Sequence, residues 1–213
     1  MAETSILNIF DVSTRENTIL LTNDTDPDVN YFNNSLIETN YFNLSEASVY
    51  LKCSLSYFSV LNLNIRSMRK NFENLKILLK NLNFNFSVIC LTETWCQNGD
   101  ELNSIYFLYG YNSIHQTRKN GIGGGVCIFI LNSFTFRNSE NLSVNDANCE
   151  SLTIEIIKQK TKSIFITALY RPPNGNFDAF EKHLKNMLPI VIKKHIYLTG
   201  DFNIDISKVT NDS

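Results

Sequence analysis

The chain of 213 residues lacks several features that would place it in a specialised class of protein. No apolar run reaches the roughly 18 residues that a membrane-spanning helix needs, and no basic region followed by an apolar stretch opens the N-terminus. The five cysteines are odd in number and include no C-x-x-C pair, which argues against a disulfide framework and a zinc knuckle. We therefore expect an intracellular protein, nuclear or cytoplasmic and not secreted, with reduced thiols and no membrane contact.

A strong charge of either sign is also missing. The net charge is −2, but the charges are unevenly distributed. Residues 1–56 carry 8 acidic and 2 basic side chains, whereas residues 57–213 carry 13 acidic and 17 basic ones. A dedicated nucleic-acid-binding domain usually has a much stronger basic stripe, so this balance is compatible with a polyanionic substrate without indicating one.

Glycine is sparse, and four of the 8 glycines lie within residues 121–125. Neither Lys-Ser nor Lys-Thr follows this segment, and the residues after it predict a strand instead of a helix. This excludes a nucleotide-binding phosphate loop and favours a tight turn or bulge before a buried strand. We expect no small-molecule cofactor.

The chain divides near residue 56. Residues 1–56 are rich in Asn, Asp, Thr and Ser and show no sustained hydrophobic period, which predicts a poorly ordered acidic extension. The alternative is that Tyr41, Phe42 and Leu44 belong to a short element that packs on the domain. Residues 57–213 are predicted to form that domain, and the sequence does not indicate an oligomeric state.

Hydrophobic periodicity divides the domain into strands and helices. Helices are expected at 71–82 and 176–188, the second of them ended by Pro189. The predicted strands are 58–65, 86–92, 106–109, 126–131, 151–157 and 163–170. A strand, a helix and a strand at the start favour α/β layering, and consecutive later strands favour a mixed or antiparallel sheet.

Three polar clusters directly follow apolar runs, at residues 63–67, 92–95 and 200–205. Buried strands that end in polar residues would bring these carboxylates and amides to one rim of a sheet. Because burying such groups is costly unless they bind a metal or take part in chemistry, the pattern predicts a metal-dependent hydrolytic site.

Two carboxylates in these clusters are candidates for that site. Glu93 follows a buried strand and suits Mg²⁺, which uses one or two carboxylates together with water and phosphate oxygens. A solvated loop residue is the alternative. Asp201 and Asn203 lie two apart, so in an extended backbone they would face the same way and could orient a water and hold a phosphate oxygen. An Asx-type turn after the strand is the alternative.

Four further residues are weaker candidates. Asn64, at a strand end, would ligate a metal through water or bind a phosphate oxygen. Arg66 is a candidate phosphate contact, with a surface ion pair as the alternative. Tyr170 could donate a hydrogen bond to a charged transition state, or be a half-buried core tyrosine. Asn174, in the turn that follows Tyr170, is a weaker candidate for a contact with the substrate phosphate.

Taken in order, five motifs resemble the endonuclease/exonuclease/phosphatase superfamily, and most resemble the endonuclease domain of LINE-type (non-LTR) retrotransposons. The resemblance covers about residues 57–206. The motifs are Leu63-Asn-Ile-Arg-Ser, Leu91-Thr-Glu-Thr-Trp, Gly123-Gly-Gly-Val, Leu169-Tyr-Arg-Pro-Pro-Asn and Thr199-Gly-Asp-Phe-Asn-Ile-Asp. The resemblance implies a four-layer α/β sandwich, in which two facing β-sheets are flanked by helices.

The resemblance also implies Mg²⁺-dependent phosphodiester hydrolysis that nicks DNA. By motif position, Glu93 would bind the metal with Asn64 beside it, and Asp201 would activate or orient the water. Asn203 and Tyr170 would hold the scissile phosphate. The family carries a later Asp and a Ser-Asp-His motif that residues 1–213 do not contain, so we expect a domain truncated at its C-terminus and an impaired activity.

Two alternatives stay open at this point. One is a phosphatase or nuclease of the same superfamily that acts on another phosphoester. The other is a catalytically inert remnant that binds DNA or a protein, or that does not fold.

Overall fold

Two β-sheets face each other in the computed structural model, which describes residues 8–11, 17–20, 38–53, 58–97, 102–119, 121–158, 163–191 and 195–204. The strands of the first sheet are β1 (Asn8–Asp11), β2 (Asn17–Leu20), β3 (Glu38–Tyr41), β4 (Ser59–Asn64), β5 (Val88–Thr92), β6 (Tyr111–Gln116) and β7 (Val126–Leu131). Their order across the sheet is β3-β2-β1-β4-β5-β7-β6. Strands β4 and β5 are parallel, whereas β1 and β7 run antiparallel to their neighbours β4 and β5.

The second sheet contains five described strands. They are β8 (Phe136–Asn138), β9 (Val144–Asn145), β10 (Glu150–Ile156), β11 (Ile164–Tyr170) and β12 (His195–Asp201). The order is β12-β11-β10-β8, and β9 also pairs with β10. Since β11 and β12 are parallel and β10 and β11 antiparallel, this sheet is mixed, as the first one is.

Helices cover the outer faces of the sheets. They are α1 (Leu44–Cys53), α2 (Met68–Leu82), the short α3 (Leu102–Ile105), α4 (Phe177–Val191) and a 3₁₀ turn at Glu140–Leu142. Helices α1 and α2 pack on the first sheet through Leu51, Met68 and Leu75, and Phe180 and Met187 of α4 pack on the second. The predicted four-layer α/β sandwich is therefore confirmed.

Strands buried on both faces explain the unbroken apolar runs of the sequence. Val60 points into the space between the sheets, whereas its neighbours Leu61 and Leu63 pack against the helices. The core between the sheets consists of Val60, Val88, Cys90, Val126, Ile128, Ile130, Leu152, Ile154, Ile156, Ile164, Ile166, Ala168 and Tyr170. Burial on both sides holds the ends of β4, β5 and β11 in fixed positions, and the half-buried β12 is paired with β11 along its whole length.

Part of the predicted N-terminal extension joins these layers. Helix α1 lies next to α2, and its Ala47 and Leu51 are buried. The ring of Phe42 lies 5.0 Å from that of Tyr50. Strand β1 pairs with β4. The alternative interpretation of this segment, a short element packed on the domain, agrees with the position of α1. The domain boundary at residue 56 stays a prediction.

One predicted strand and the end of one predicted helix differ from the structure. Residues 106–109 form no strand: Tyr106 packs edge-on against Phe72 and Leu108 is buried, so their apolar spacing reflects core contacts of a loop. Helix α4 continues past Pro189 to Val191. Because proline costs about 3 kcal/mol inside a helix, the burial of Phe180 and Met187 on the same helix has to offset it. None of the described helices is long and apolar enough to span a bilayer.

Candidate active site

The ends of two parallel strand pairs meet at one rim of the sandwich. In the first sheet Asn64 of β4 pairs with Thr92 of β5, and in the second Tyr170 of β11 pairs with Asp201 of β12. Strand β12 lies against β4 and β5 across the space between the sheets. The polar clusters that follow these strands are therefore brought together by sheet packing, although they are far apart in sequence.

Asn64 links the two carboxylates at this rim. Its Nδ2 donates one hydrogen bond to Glu93 Oε1 and another to Asp201 Oδ2, each 2.7 Å long. The two oxygens thus lie within twice that distance of each other. Among the described residues, no lysine or arginine forms an ion pair with either carboxylate. A neutral amide leaves two neighbouring negative charges largely uncompensated, which favours the binding of a cation.

The backbone after β4 and β5 holds Glu93 in place. Glu93 has φ +53° and Trp95 has φ +54°, a left-handed conformation that costs energy for residues other than glycine. Ser67 N donates to Glu93 O at 2.8 Å, and Trp95 N donates to Gly124 O at 2.8 Å. Hydrogen bonds with two other loops therefore offset the backbone strain and hold the side chain of Glu93 in one position.

Tyr170 borders the same group and is 5% exposed. Burial raises the pKa of its phenol to about 12, and the carboxylate of Glu93 adds to the rise, while Arg118 opposes it. Asp201 and Glu150 raise this pKa further. The phenol thus stays a hydrogen-bond donor throughout the neutral and mildly alkaline range.

Asn203 lies at the rim but faces another way than the sequence suggests. The strand ends at Asp201, and Asn203 has φ +47°, so the backbone is not extended there. Asn203 N donates to Asp201 Oδ1 at 3.1 Å, and Asn203 Nδ2 donates to Arg171 O at 2.7 Å. Asn203 therefore holds the carboxylate of Asp201 and the turn at Arg171 in place. The backbone from Asp201 to Asn203 forms the Asx-type turn that was the alternative interpretation.

Two weaker candidates have exposed side chains. Arg66 touches the group through its backbone N, which donates to Asn64 Oδ1 at 3.2 Å. Asn174 is exposed in the turn after β11. Asp205, the last residue of the third polar cluster, lies outside the described residues.

An ion pair beside Tyr170, between the buried Glu150 and the partly exposed Arg118, was missed by sequence reasoning. Glu150, 1% exposed, pairs with Tyr170 across β10 and β11 and accepts hydrogen bonds from Arg118 Nε and Gly125 N. A Cβ at Gly124 would collide with the side chains of both Arg118 and Glu150. The signal available in the sequence was the glycine run itself, which marks a backbone that other groups approach closely.

The residues at the rim fit a divalent cation of the hard, oxygen-binding kind. No group of three or more His, Cys, Asp or Glu side chains that could cage a metal occurs in the described part of the chain. Glu93 and Asp201 supply two carboxylates, and Mg²⁺ takes one or two from proteins when water and phosphate oxygens complete its shell. Their unneutralised charges are the observation that supports this fit.

All three histidines lie away from the two carboxylates. His115 Nε2 contacts Ser113 Oγ at 3.2 Å, and burial lowers its pKa to about 4. His183 Nε2 contacts Ser151 Oγ at 3.2 Å, and burial lowers its pKa as well. His195 is exposed at the start of β12, opposite the end that carries Asp201. No imidazole is therefore placed to exchange protons at the rim.

A sequence model described as the Endonuclease/Exonuclease/phosphatase family matches residues 61–211. This span includes β5, β11, β12 and all but the first two residues of β4. It therefore contains the rim residues Asn64, Glu93, Tyr170 and Asp201. No curated protein matches the chain.

Solved structures show the same fold at low sequence identity. The endonuclease domain of TRAS1, a telomere-specific non-LTR retrotransposon, has a TM-score of 0.55 and 14% identity, and the match covers 70% of this chain and 62% of that one. The AP endonuclease LMAP from Leishmania major has a TM-score of 0.57 and 14% identity, covering 69% and 55%. An AP endonuclease from Archaeoglobus fulgidus has a TM-score of 0.51 and 16% identity, covering 69% and 58%. The chain thus spans a little over half the length of these structures.

Proposed function

Because this chain belongs to the endonuclease/exonuclease/phosphatase family, we propose that it hydrolyses phosphodiester bonds in DNA with Mg²⁺, as a nicking endonuclease of the non-LTR retrotransposon type. Similarity of fold to a retrotransposon endonuclease domain and to two AP endonucleases supports a nucleic-acid substrate.

The observation that carries this proposal is the pair of carboxylates bridged by one amide. Glu93 Oε1 and Asp201 Oδ2 both lie 2.7 Å from Asn64 Nδ2, at the meeting point of the two sheets. A solvated loop glutamate would have no reason to be held in a left-handed backbone conformation beside a second carboxylate. Two carboxylates held by the neutral amide of Asn64 suit a site whose charge is balanced by a cation and by the substrate.

Each side chain at the rim has a role in this proposal. Glu93 holds Mg²⁺ with Asn64 beside it, and a bound Mg²⁺ supplies charge stabilisation at the phosphate oxygens. Asp201, fixed by Asn203 N, accepts a proton from the attacking water or sets its direction. The phenol of Tyr170 donates a hydrogen bond to the phosphate oxygen on which negative charge develops.

Removal of the Tyr170 hydroxyl tests the last of these roles. Tyr170→Phe is expected to lower the nicking rate by about 100-fold, the usual loss when one donor to a developing charge is removed. Because the pKa of Tyr170 is raised to about 12, the rate of the parent should not fall between pH 7 and pH 10 through ionisation of this group. Nicking rates of both proteins over that range check the prediction, and equal rates would contradict the role.

Nicking of supercoiled plasmid by the 213-residue chain tests the proposed function. We expect nicked circles with Mg²⁺, none with EDTA, and no hydrolysis of p-nitrophenyl phosphate, since a phosphomonoester lacks the second ester bond. A chain that melts cooperatively but nicks no faster in Mg²⁺ than in EDTA would contradict the proposal. Rapid hydrolysis of the monoester would instead favour a phosphatase.

A second candidate is a module that binds DNA without hydrolysing it. The positions of the histidines favour it, since a positioned acid or base commonly contributes 10²–10⁴-fold to a rate, and no imidazole lies beside Asp201. We accordingly expect slow turnover from the nuclease. DNA binding without any Mg²⁺-dependent nicking would favour this second candidate.

A further inference from the structure

The loop that follows β12 is held by the side chain of Arg171, the first residue after β11. Arg171 Nη1 donates to Asn203 O at 2.8 Å and, over a longer contact, to Phe202 O at 3.5 Å. Among the described residues, each hydrogen bond of residues 202–204 has Arg171 or Asp201 as its other partner. Sequence reasoning assigned no role to the side chain of Arg171.

The other end of the same guanidinium is anchored to the turn that precedes α4. Arg171 Nη2 donates to Gly175 O at 2.7 Å. This turn is itself fixed, because Gly175 N donates to Pro172 O at 2.8 Å and Asn176 N donates to Asn148 Oδ1 at 3.0 Å. Gly175 is buried, and a Cβ there would lie 2.8 Å from Asn148 O. Arg171 therefore ties the loop after β12 to a closely packed turn.

Further hydrogen bonds continue this connection to the carboxylate of Asp201. Arg171 N donates to Asp201 O at 2.9 Å, and Asn203 Nδ2 donates to Arg171 O at 2.7 Å. Asn203 N then donates to Asp201 Oδ1 at 3.1 Å. The φ of +47° at Asn203 is sparsely populated outside glycine, so neighbouring groups have to hold it. Loss of the Arg171 contacts would therefore release Asn203 N from the carboxylate.

Arg171 orders this loop without neutralising Asp201. Its acceptors are carbonyl oxygens, and among the described residues no carboxylate forms an ion pair with it. The ring of Phe177 lies 5.8 Å from its guanidinium carbon and helps to fix the plane of the group. A planar fork of N–H groups can bind carbonyls on two loops at once, whereas the ammonium of lysine is a point charge on a flexible stem. The negative charge of Asp201 thus stays available for a cation or a proton.

We propose that Arg171 is a positioning residue for Asp201, which holds the loop after β12 so that this carboxylate keeps its place beside Asn64. The inference rests on the proposed function, in which Asp201 accepts a proton from the attacking water or sets its direction. Partners that orient the groups of a metal site commonly contribute about 10- to 100-fold to activity, and we expect an effect of that size.

Arg171→Met tests this role, since methionine keeps an apolar stem beside Phe177 but has no donor. The matched control is Lys182→Met, which removes the same charge and introduces the same side chain at an exposed position of α4. Arg171→Lys keeps the charge without the fork. The exchange rate of the backbone amide of residue 203 is measured by NMR without Mg²⁺, and kcat and KM are measured for plasmid nicking with Mg²⁺.

We expect the amide of residue 203 to exchange about 10-fold faster in Arg171→Met, as when one or two hydrogen bonds are lost locally, while the amides of β10 keep their parent rates. The kcat should fall about 10- to 100-fold with KM unchanged, because the loop positions Asp201 and does not bind the substrate. Arg171→Lys should resemble Arg171→Met, and Lys182→Met should resemble the parent.

A double-mutant cycle with Asp201→Asn separates positioning from general stability. If Arg171 acts through Asp201, adding Arg171→Met to Asp201→Asn should lower kcat no further. Additive losses would show that Arg171 stabilises the protein as a whole and would overturn the inference. An exchange rate at residue 203 equal to that of Lys182→Met overturns it too, and parent-like exchange in Arg171→Lys overturns the need for the guanidinium fork.

The exchange measurement also separates this inference from the function on which it rests. Faster exchange at residue 203 of Arg171→Met, in a protein that never nicks, would support the hold of Arg171 on the loop and contradict the proposed hydrolysis. Nicking by the parent, combined with unchanged exchange in Arg171→Met, would leave the nuclease standing and remove the positioning role.

Discussion

Replacement of Glu93 by glutamine is expected to abolish Mg²⁺-dependent nicking while the protein stays folded. The substitution keeps the size of the side chain and an oxygen that can accept from Asn64 Nδ2, but of the two negative charges at the rim it removes the one that would hold the cation. We expect the nicking rate to fall at least about 100-fold and the affinity for Mg²⁺, measured by calorimetry, to fall with it. Asp201→Asn, which removes the other charge and the proposed proton acceptor, should give a loss of similar size.

Stability measurements distinguish this result from a loss of structure. The free energy of unfolding without Mg²⁺ should change by less than about 1 kcal/mol in Glu93→Gln, since the hydrogen bond to Asn64 can persist. Glu73→Gln is the matched control, because Glu73 is an exposed glutamate on α2 paired only with Lys76. If Glu93→Gln nicks as fast as Glu73→Gln, Glu93 is a solvated loop residue and the proposed metal site is wrong.

Gly200→Ala is expected to be among the most destabilising single substitutions in the chain. Gly200 has φ +152°, and a Cβ there would lie inside van der Waals distance of the backbone oxygen of Leu169 on β11. Backbone atoms of two paired strands cannot rotate aside as a flexible side chain can. We expect a loss of about 3 kcal/mol in the free energy of unfolding, measured by denaturant titration.

Gly110→Ala is the control that separates the collision from backbone strain. Gly110 has φ +84° and nothing within 4 Å of its added Cβ, so its substitution should cost only about 1 kcal/mol. The residue after Gly200 is Asp201, and a shift of β12 away from β11 would also displace that carboxylate from Asn64. Equal losses of stability at the two glycines would show that β11 and β12 do not approach so closely.

Much of this architecture could be predicted from local pattern. The apolar run at Val126–Leu131 was predicted at its observed bounds, and the strand ends at Asn64, Thr92 and Tyr170 were predicted to within one residue. A strand that is buried on both faces consists of consecutive apolar residues, so it can be recognised from the local sequence. Loop segments that contribute side chains to the core, such as Tyr106 and Leu108, show a similar apolar pattern. The strand predicted at residues 106–109 was wrong for this reason.

The candidate site likewise contains residues that could be predicted from the sequence and residues that could not. Glu93 and Asp201 were recognisable because each is a carboxylate that directly follows an apolar run. Arg118 and Glu150 were not, because each looks like an ordinary charged residue until Gly124 and Gly125 allow them to approach. The orientation of Asn203 also depended on a backbone angle that residue spacing does not reveal.

The sequence by itself determined the α/β layering, the positions of most strands along the chain and the kinds of side chain that stand at their ends, since these depend on neighbouring residues. Only the tertiary structure decided that Asn64 bridges Glu93 to Asp201, residues separated by more than a hundred positions, and that Arg118 pairs with Glu150 beside Tyr170. The physical reason is that contacts across two packed sheets depend on register, backbone conformation and the burial of both faces at once, none of which is a property of a local segment.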